Sequence, residues 1–263
     1  MVNSKSLRII LTNDDGIFAE GLQTLRQALV DRGFHPVTVA PDRGASGASR
    51  SLSLSRPLTV RKIGSDQFSV DGTPTDCVMM ALYEILQDGR RPTLLLSGIN
   101  HGQNLADDVT YSGTCAAAFE GCMEGIRSVA LSALPDDDHQ FRFRDHADLF
   151  IETVLPRILK LSLPRRSFIN INFPALPRSA IKGVRVVPLG RSTYTDPIAR
   201  QKHPNVLGRK KDGYLYWITG APKAVKKRGT DLEAVEQGYV SVSPVKLDLN
   251  DPSLLARARR IFS

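Results

Sequence analysis

The feature that most constrains this chain is an alternation. Short runs of β-forming residues are each followed by a polar, glycine-bearing turn and then by a stretch of helical periodicity. Leu7 to Thr12 is the first such run; it ends in Asn13-Asp14-Asp15-Gly16, and Glu20 to Arg32 then puts Leu22, Leu25, Ala28 and Leu29 on one helical face. Pro36 to Ala40, Thr93 to Ser97, Val129 to Ser132, Phe168 to Phe173 and Val184 to Val187 read as further strands, and Leu58 to Val70 as a hairpin. Helices are expected from Pro74 to about Leu86, Thr114 to about Glu124, and about Arg142 to Leu161. Thr73-Pro74-Thr75-Asp76 has the chemistry of a helix start: Thr caps, Pro takes the first helical position and Asp suits the positive end. Strands alternating with helices build a mainly parallel sheet covered on both faces, an α/β three-layer sandwich.

Beyond Gly190 the pattern changes to a basic, turn-rich stretch. Tyr214 to Ile218 and Tyr239 to Val242 read as strands there, and Pro252 to Phe262 as a terminal helix. Residues 1–190 are therefore expected to form the α/β domain, and 191–263 an appended or exchanged arm rather than an independent domain. The formal charge of +8 sits wholly in residues 191–229, with ten Lys and Arg against Asp196 and Asp212. Such a stretch suits a solvated loop, an approach path for anions, or contact with nucleic acid or another polyanion. At 41% apolar and 24% charged the composition is that of an ordinary globular chain. Cys77, Cys115 and Cys122 show no C-x-x-C spacing, so burial in the core is expected rather than a disulfide framework or a zinc ribbon. The N-terminal residues do not read as an export signal, and no apolar run reaches the ~18 residues of a spanning helix, so a soluble cytoplasmic protein without membrane contact is expected.

In open α/β sheets ligands bind beyond the carboxyl ends of the strands, and the unusual residues gather in the loops that follow the first three core strands. Adjacent carboxylates repel one another, and Asp14 and Asp15 at a strand end can converge on one cation where Gly16 turns the backbone. With oxygens from Ser46 and Asn100 they form a hard donor set suited to one Mg²⁺ or Mn²⁺; the same acid pair taken alone also serves as a helix cap. Ser112-Gly113-Thr114 opens a helix whose free N–H groups favour phosphate, with Asn104 as a neutral donor, although Ser and Thr there are also ordinary caps. Asp107-Asp108 lacks further ligands nearby and reads as loop-ordering, and His101 as a rim residue.

The chain contains neither G-x-x-x-x-G-K-[ST] nor G-x-G-x-x-G, which argues against a P-loop ATPase and a dinucleotide-dependent dehydrogenase, and no G-x-S-x-G elbow. A phospho-receiver needs an Asp after its third strand, where this chain has Ser97-Gly98-Ile99-Asn100. A non-enzymatic nucleic-acid or polyanion-binding protein using 191–229 is the alternative reading. It leaves the acidic strand-end loops without a role.

Thr12-Asn13-Asp14-Asp15-Gly16, Ala40-Pro41-Asp42 with Ser46, Gly72-Thr73-Pro74-Thr75-Asp76-Cys77, Ser97-Gly98-Ile99-Asn100 and Asp107-Asp108-Val109-Thr110-Tyr111-Ser112-Gly113-Thr114 together resemble the SurE family of stationary-phase survival proteins. The resemblance implies a Rossmann-like fold and a metal-dependent nucleotidase acting on nucleoside 5′- and 3′-monophosphates, with short polyphosphate as a further substrate. It implies metal at Asp14, Asp15, Ser46 and Asn100, with the two acids central to catalysis, and phosphate at Asn104, Ser112, Gly113 and Thr114. It also implies a homodimer or homotetramer formed through C-terminal segments, with no obligatory nucleic acid. Many relatives carry longer side chains where this chain has Gly44-Ala45. That leaves Ser49 in competition with Ser46 as the metal serine, although the spacing of four from Asp42 favours Ser46.

Overall fold

The computed structural model describes residues 7–195, 198–202, 214–218 and 221–262. Nine strands form one sheet: β1 (Ile9–Thr12), β2 (Val37–Pro41), β3 (Val60–Gly64), β4 (Gln67–Val70), β5 (Leu94–His101), β6 (Arg127–Ala133), β7 (Ser167–Phe173), β8 (Val184–Val186) and β13 (Val240–Lys246). Their order is β3-β4-β2-β1-β5-β6-β7-β13-β8. All neighbours are parallel except β3 with β4 and β7 with β13. The central strands read as continuous apolar runs because both faces are buried: Ile9 and Leu11 point into one layer and Ile10 into the other.

On the first face lie α1 (Glu20–Val30), α4 (Phe143–Leu149) and α5 (Leu155–Lys160), which with the turn joining α4 to α5 contribute Leu22, Leu25, Phe143, Phe150 and Leu155 to the larger core. On the second lie α2 (Pro74–Met80) and α3 (Gly113–Met123), where Cys77, Val78 and Ala117 meet Ile10, Val39 and Leu95. Each Leu, Ile, Val or Phe side chain, fully buried, contributes roughly 1.5–3 kcal/mol. All three cysteines are buried and free, and burial pushes the Cys115 thiol up to about 12 and the Cys122 thiol to about 11, so neither is a reactive thiolate.

Three expectations shift. The stretch from Gly98 was read as loop, but β5 runs on to His101 through an irregularity between Ser97 and Asn100. Gly98 permits this: its φ is +130°, and a Cβ there would lie 2.2 Å from the Leu131 carbonyl oxygen. The helix expected from Arg142 to Leu161 is interrupted by a π-turn at Phe150–Val154, just before Pro156, which lacks an N–H for the helix ladder. The strand near Tyr239, assigned to the appended segment, is β13, and it lies inside the main sheet between β7 and β8. The sheet therefore draws on both sides of residue 190.

The remaining strands after Gly190 lie outside the main sheet. β9 (Arg191–Thr195) pairs with β12 (Ala221–Lys226), and β10 (Ile198–Lys202) with β11 (Tyr214–Ile218), as antiparallel two-stranded ribbons. α6 (Asp231–Glu236) packs against β13, while every described residue of α7 (Pro252–Phe262) is wholly or partly exposed. Lys210-Lys211, Asp196 and Asp212 lie outside the described residues. Among the described residues no helix is long and apolar enough to cross a membrane.

Candidate functional site

The chain passes from one side of β1 to the other between β2 and β5, so the sheet's switch point lies where β1 and β5 end. Both acids stand there. Asn13 closes the turn that carries them: its amide nitrogen donates to the Gly16 carbonyl at 2.9 Å and its oxygen accepts the Gly16 N–H at 3.3 Å. Gly16 has a φ of +110° and packs against the Arg43 backbone, which brings the loop after β2 alongside.

Asp14 is 4% exposed. Burial, reinforced by the neighbouring Asp15 and opposed by a hydrogen bond from Thr114, raises its pKa to about 6. The Thr114 hydroxyl donates to Asp14 Oδ1, leaving Oδ2 without a side-chain donor. Asp15 is partly exposed and uses the opposite oxygen: Oδ2 accepts the His101 backbone N–H at 3.1 Å and lies 3.0 Å from His101 Nδ1. The contact with Asp15 raises the pKa of His101. His101, read from sequence as a rim residue, thus meets a carboxylate 86 positions away in the chain.

Asn100 turns its amide nitrogen onto the Gly102 carbonyl at 2.9 Å, and among the described residues no donor meets its Oδ1. The loop after β2 is fastened at several points. Ala45 N–H donates to the Asp14 carbonyl at 2.7 Å, Ser49 N–H to Tyr111 at 3.2 Å and Ser49 Oγ to the Thr110 carbonyl at 2.9 Å. Arg50 pairs with Glu120 on α3 at 3.0 Å. Ser46 is exposed, immediately after the residue anchored to Asp14, and its hydroxyl has no protein partner among the described residues.

The N-terminus of α3 points into the same crevice. Ser112 is its N-cap and accepts from Cys115 N–H at 3.0 Å, which leaves its own O–H available as a donor. Gly113 has to be small: a Cβ there would lie 2.7 Å from Asp14 Cβ and 2.9 Å from Asp14 Oδ2. Asn104 is buried, with its amide nitrogen on Ser132 Oγ at 2.7 Å, so one of its two N–H groups is already engaged. Thr114, expected beside phosphate, directs its hydroxyl at Asp14 instead; its main chain remains in the first helical turn.

Residues not singled out from sequence support this arrangement. Asn170 and Asn172 on β7 both donate to the Asn104 carbonyl, at 2.8 and 3.0 Å, and Asn172 Oδ1 accepts the Asn104 N–H at 2.8 Å. A polar residue at alternate places of the otherwise apolar run 168–173 was the available signal. Asp231 on α6 is buried and accepts N–H groups from Ala106 and Gly190 at 2.9 and 2.7 Å, tying the loop after β5 to the second half of the chain. Asp107 accepts from Ser192 N–H and Asp108 from the Tyr194 hydroxyl, so this pair orders the loop against β9. Thr73 and Asp76 form a reciprocal capping box, and Asp76 also takes the Ser53 N–H.

The donors suit a hard cation. Among the described residues, two carboxylates each hold one oxygen free of side-chain donors, an amide oxygen is unengaged, a hydroxyl is exposed, and no three His, Cys, Asp or Glu side chains gather as a metal cluster. Fold and site together define an open α/β protein with an acidic pair set against the N-terminus of a helix at the switch point of its sheet. The family model for Survival protein SurE matches residues 9–196. The 5′-nucleotidase SurE of Erythrobacter litoralis is 41% identical over 252 residues, 95% of this chain and 97% of that protein. The protein of the same name from Caulobacter vibrioides is 43% identical over 246 residues, 92% of this chain and 91% of that one. The crystal structure of the SurE protein from Aquifex aeolicus matches with a TM-score of 0.82 at 36% identity, over 97% of this chain and 100% of that chain. The chain belongs to the SurE family.

Proposed function

We propose that the chain is a nucleotidase that hydrolyses nucleoside 5′- and 3′-monophosphates, and short polyphosphate, with one bound Mg²⁺ or Mn²⁺ per subunit. The single observation that carries this reading is the juxtaposition of Asp14 with the first turn of α3: carboxylate chemistry and an anion cradle share one crevice. The relatives' name, 5′-nucleotidase SurE, gives the substrate class. Asp14, Asp15, Asn100 and Ser46 would hold the cation; Ser49 is already donating to Thr110, which favours Ser46. A divalent cation supplies Lewis-acid polarisation of the phosphoryl group and an orienting charge for the attacking water.

The chain's own groups do the rest. The amides of Gly113 and Thr114, the Ser112 hydroxyl and the remaining N–H of Asn104 are suited to receive phosphoryl oxygens as charge shifts towards the leaving group. Thr114 keeps Asp14 oriented, and Asn170 and Asn172 keep the Asn104 backbone in place. The exposed Tyr216, Trp217 and Ile218 on β11, with Leu254, Ile261 and Phe262 on α7, support assembly as a homodimer or homotetramer through the segment after Gly190. A cytoplasmic location goes with this reading.

The test is phosphate release from 5′- and 3′-monophosphates and tripolyphosphate with Mg²⁺, Mn²⁺ or EDTA, comparing the wild type with Asp14→Asn. Release that needs metal and is lost in a folded Asp14→Asn is expected. Folded wild type that releases phosphate from none of them refutes the reading and returns attention to polyanion binding.

A further inference from the structure

The two acids of the crevice are each fixed through one oxygen, by different means. Asp14 is held by the hydroxyl of Thr114, from the helix beneath it. Asp15 is held by a hydrogen bond from the His101 main-chain N–H, with the ring Nδ1 in close contact 3.0 Å from the same oxygen but outside hydrogen-bond geometry, and its Oδ1 accepts no hydrogen bond among the described residues. The geometry points to His101 as a positioning residue for Asp15: by fixing Oδ2, it leaves Oδ1 as the oxygen offered to a divalent cation. This inference rests on the metal reading of the crevice and deepens it.

The pairing of β1 with β5 ends at Thr12 opposite Ser97, and the chain then bulges at Gly98. The N–H of His101 therefore has no β1 carbonyl to meet, and the Asp15 carboxylate takes the place of the lost strand partner. The imidazole is held as well. Phe141 and Phe143 lie edge-on to it, with ring centroids 5.1 and 4.7 Å away, and stack on each other at 4.9 Å. Phe143 is itself in the main core against α1, so the ring is braced by close-packed core. A rim histidine without a task would be free to swing into solvent; this side chain is only 29% exposed and turns Nδ1 towards the oxygen its own backbone already engages. Without that nitrogen a single backbone N–H faces Oδ2, and the carboxylate gains freedom to rotate. Residues that orient a metal ligand in this way typically account for about 10–100-fold in metal affinity.

The experiment is a calorimetric titration of metal-free protein with Mn²⁺, without substrate, on the wild type, Asp15→Asn, His101→Asn and His101→Leu, with the melting temperature of each recorded. Asparagine places an amide nitrogen near where Nδ1 stands; leucine keeps bulk without a donor. The expected result is an Mn²⁺ Kd raised about tenfold in His101→Leu and restored to within about threefold of wild type in His101→Asn, with similar melting temperatures. Should the leucine variant not fold, His101→Ala carries the same comparison. Wild-type affinity in His101→Leu, with Mn²⁺ binding abolished in Asp15→Asn, overturns the role of His101 and leaves the metal reading standing. Equal weakening in the leucine and asparagine variants overturns it in favour of simple packing. A wild type that takes up no Mn²⁺ removes the metal reading and this inference together.

Discussion

Gly113→Ala is the smallest change that reaches the centre of the site. Glycine here is dictated by a neighbour and not by backbone conformation: the added methyl carbon would lie 2.7 Å from Asp14 Cβ, 2.9 Å from Oδ2 and 3.2 Å from Cγ, where ordinary contact begins at 3.4 Å. Relief requires the Asp14 side chain, or the first turn of α3, to move by roughly 0.7 Å or more, and misplacement of about 1 Å in a reacting constellation costs on the order of 10²-fold. A fall in kcat/KM of roughly 30–100-fold is therefore expected, about 2–3 kcal/mol of transition-state stabilisation. Folding should suffer less, because about 1–3 kcal/mol of overpacking is offset by roughly 0.5–1 kcal/mol from replacing a helical glycine. The assay is phosphate release over a range of nucleotide concentrations from well below KM to saturation, at saturating Mn²⁺, with a thermal melt beside it. Gly44→Ala is the control: its Cβ would meet the Asp15 carbonyl at 3.7 Å, an ordinary contact, and activity within about twofold of wild type is expected. A Gly113→Ala protein that is folded and fully active, with unchanged response to Mn²⁺, refutes the placement of Asp14 in the reaction.

His146 is 0% exposed, stacked on Phe173 at 4.9 Å, and burial lowers its pKa from 6.5 to about 4. The unfolded chain then binds more protons than the folded one between these values, so its contribution is fully present above pH 6.5 and is lost as pH falls towards about 4. Urea unfolding at about pH 7.5 and 4.5 should show the wild type losing roughly 2–3 kcal/mol more than His146→Phe. Asp14, with its raised pKa, has the opposite sign in both proteins, and equal losses in the two would contradict the assignment to His146. For the loop after β2, Ser46→Ala is expected to weaken Mn²⁺ binding about tenfold and Ser49→Ala by less than about threefold, since a ligand loss exceeds a loop-anchor loss. Calorimetry that ranks them the other way exchanges their roles.

The sequence by itself determined what depends on near neighbours. Helix and strand order follows from apolar spacing, as at Leu22, Leu25 and Leu29 or in the buried runs 94–97 and 168–173. The start of α2 follows from Thr73, Pro74 and Asp76, whose capping bonds span only three residues. The acids after β1 and the cap of α3 were legible too, because a strand-end or helix-start loop has a local signature. Only the tertiary structure decided the rest. It put β13 between β7 and β8, carried β5 past Gly98 into the crevice, turned Thr114 onto Asp14 and brought His101 to Asp15. These partners lie many tens of residues apart, and which oxygen a hydroxyl or imidazole meets depends on backbone direction at both ends of the contact. Local periodicity specifies which elements form; it carries no information about which distant side chain stands opposite, and that is settled only when burial of both sheet faces fixes the register of every strand.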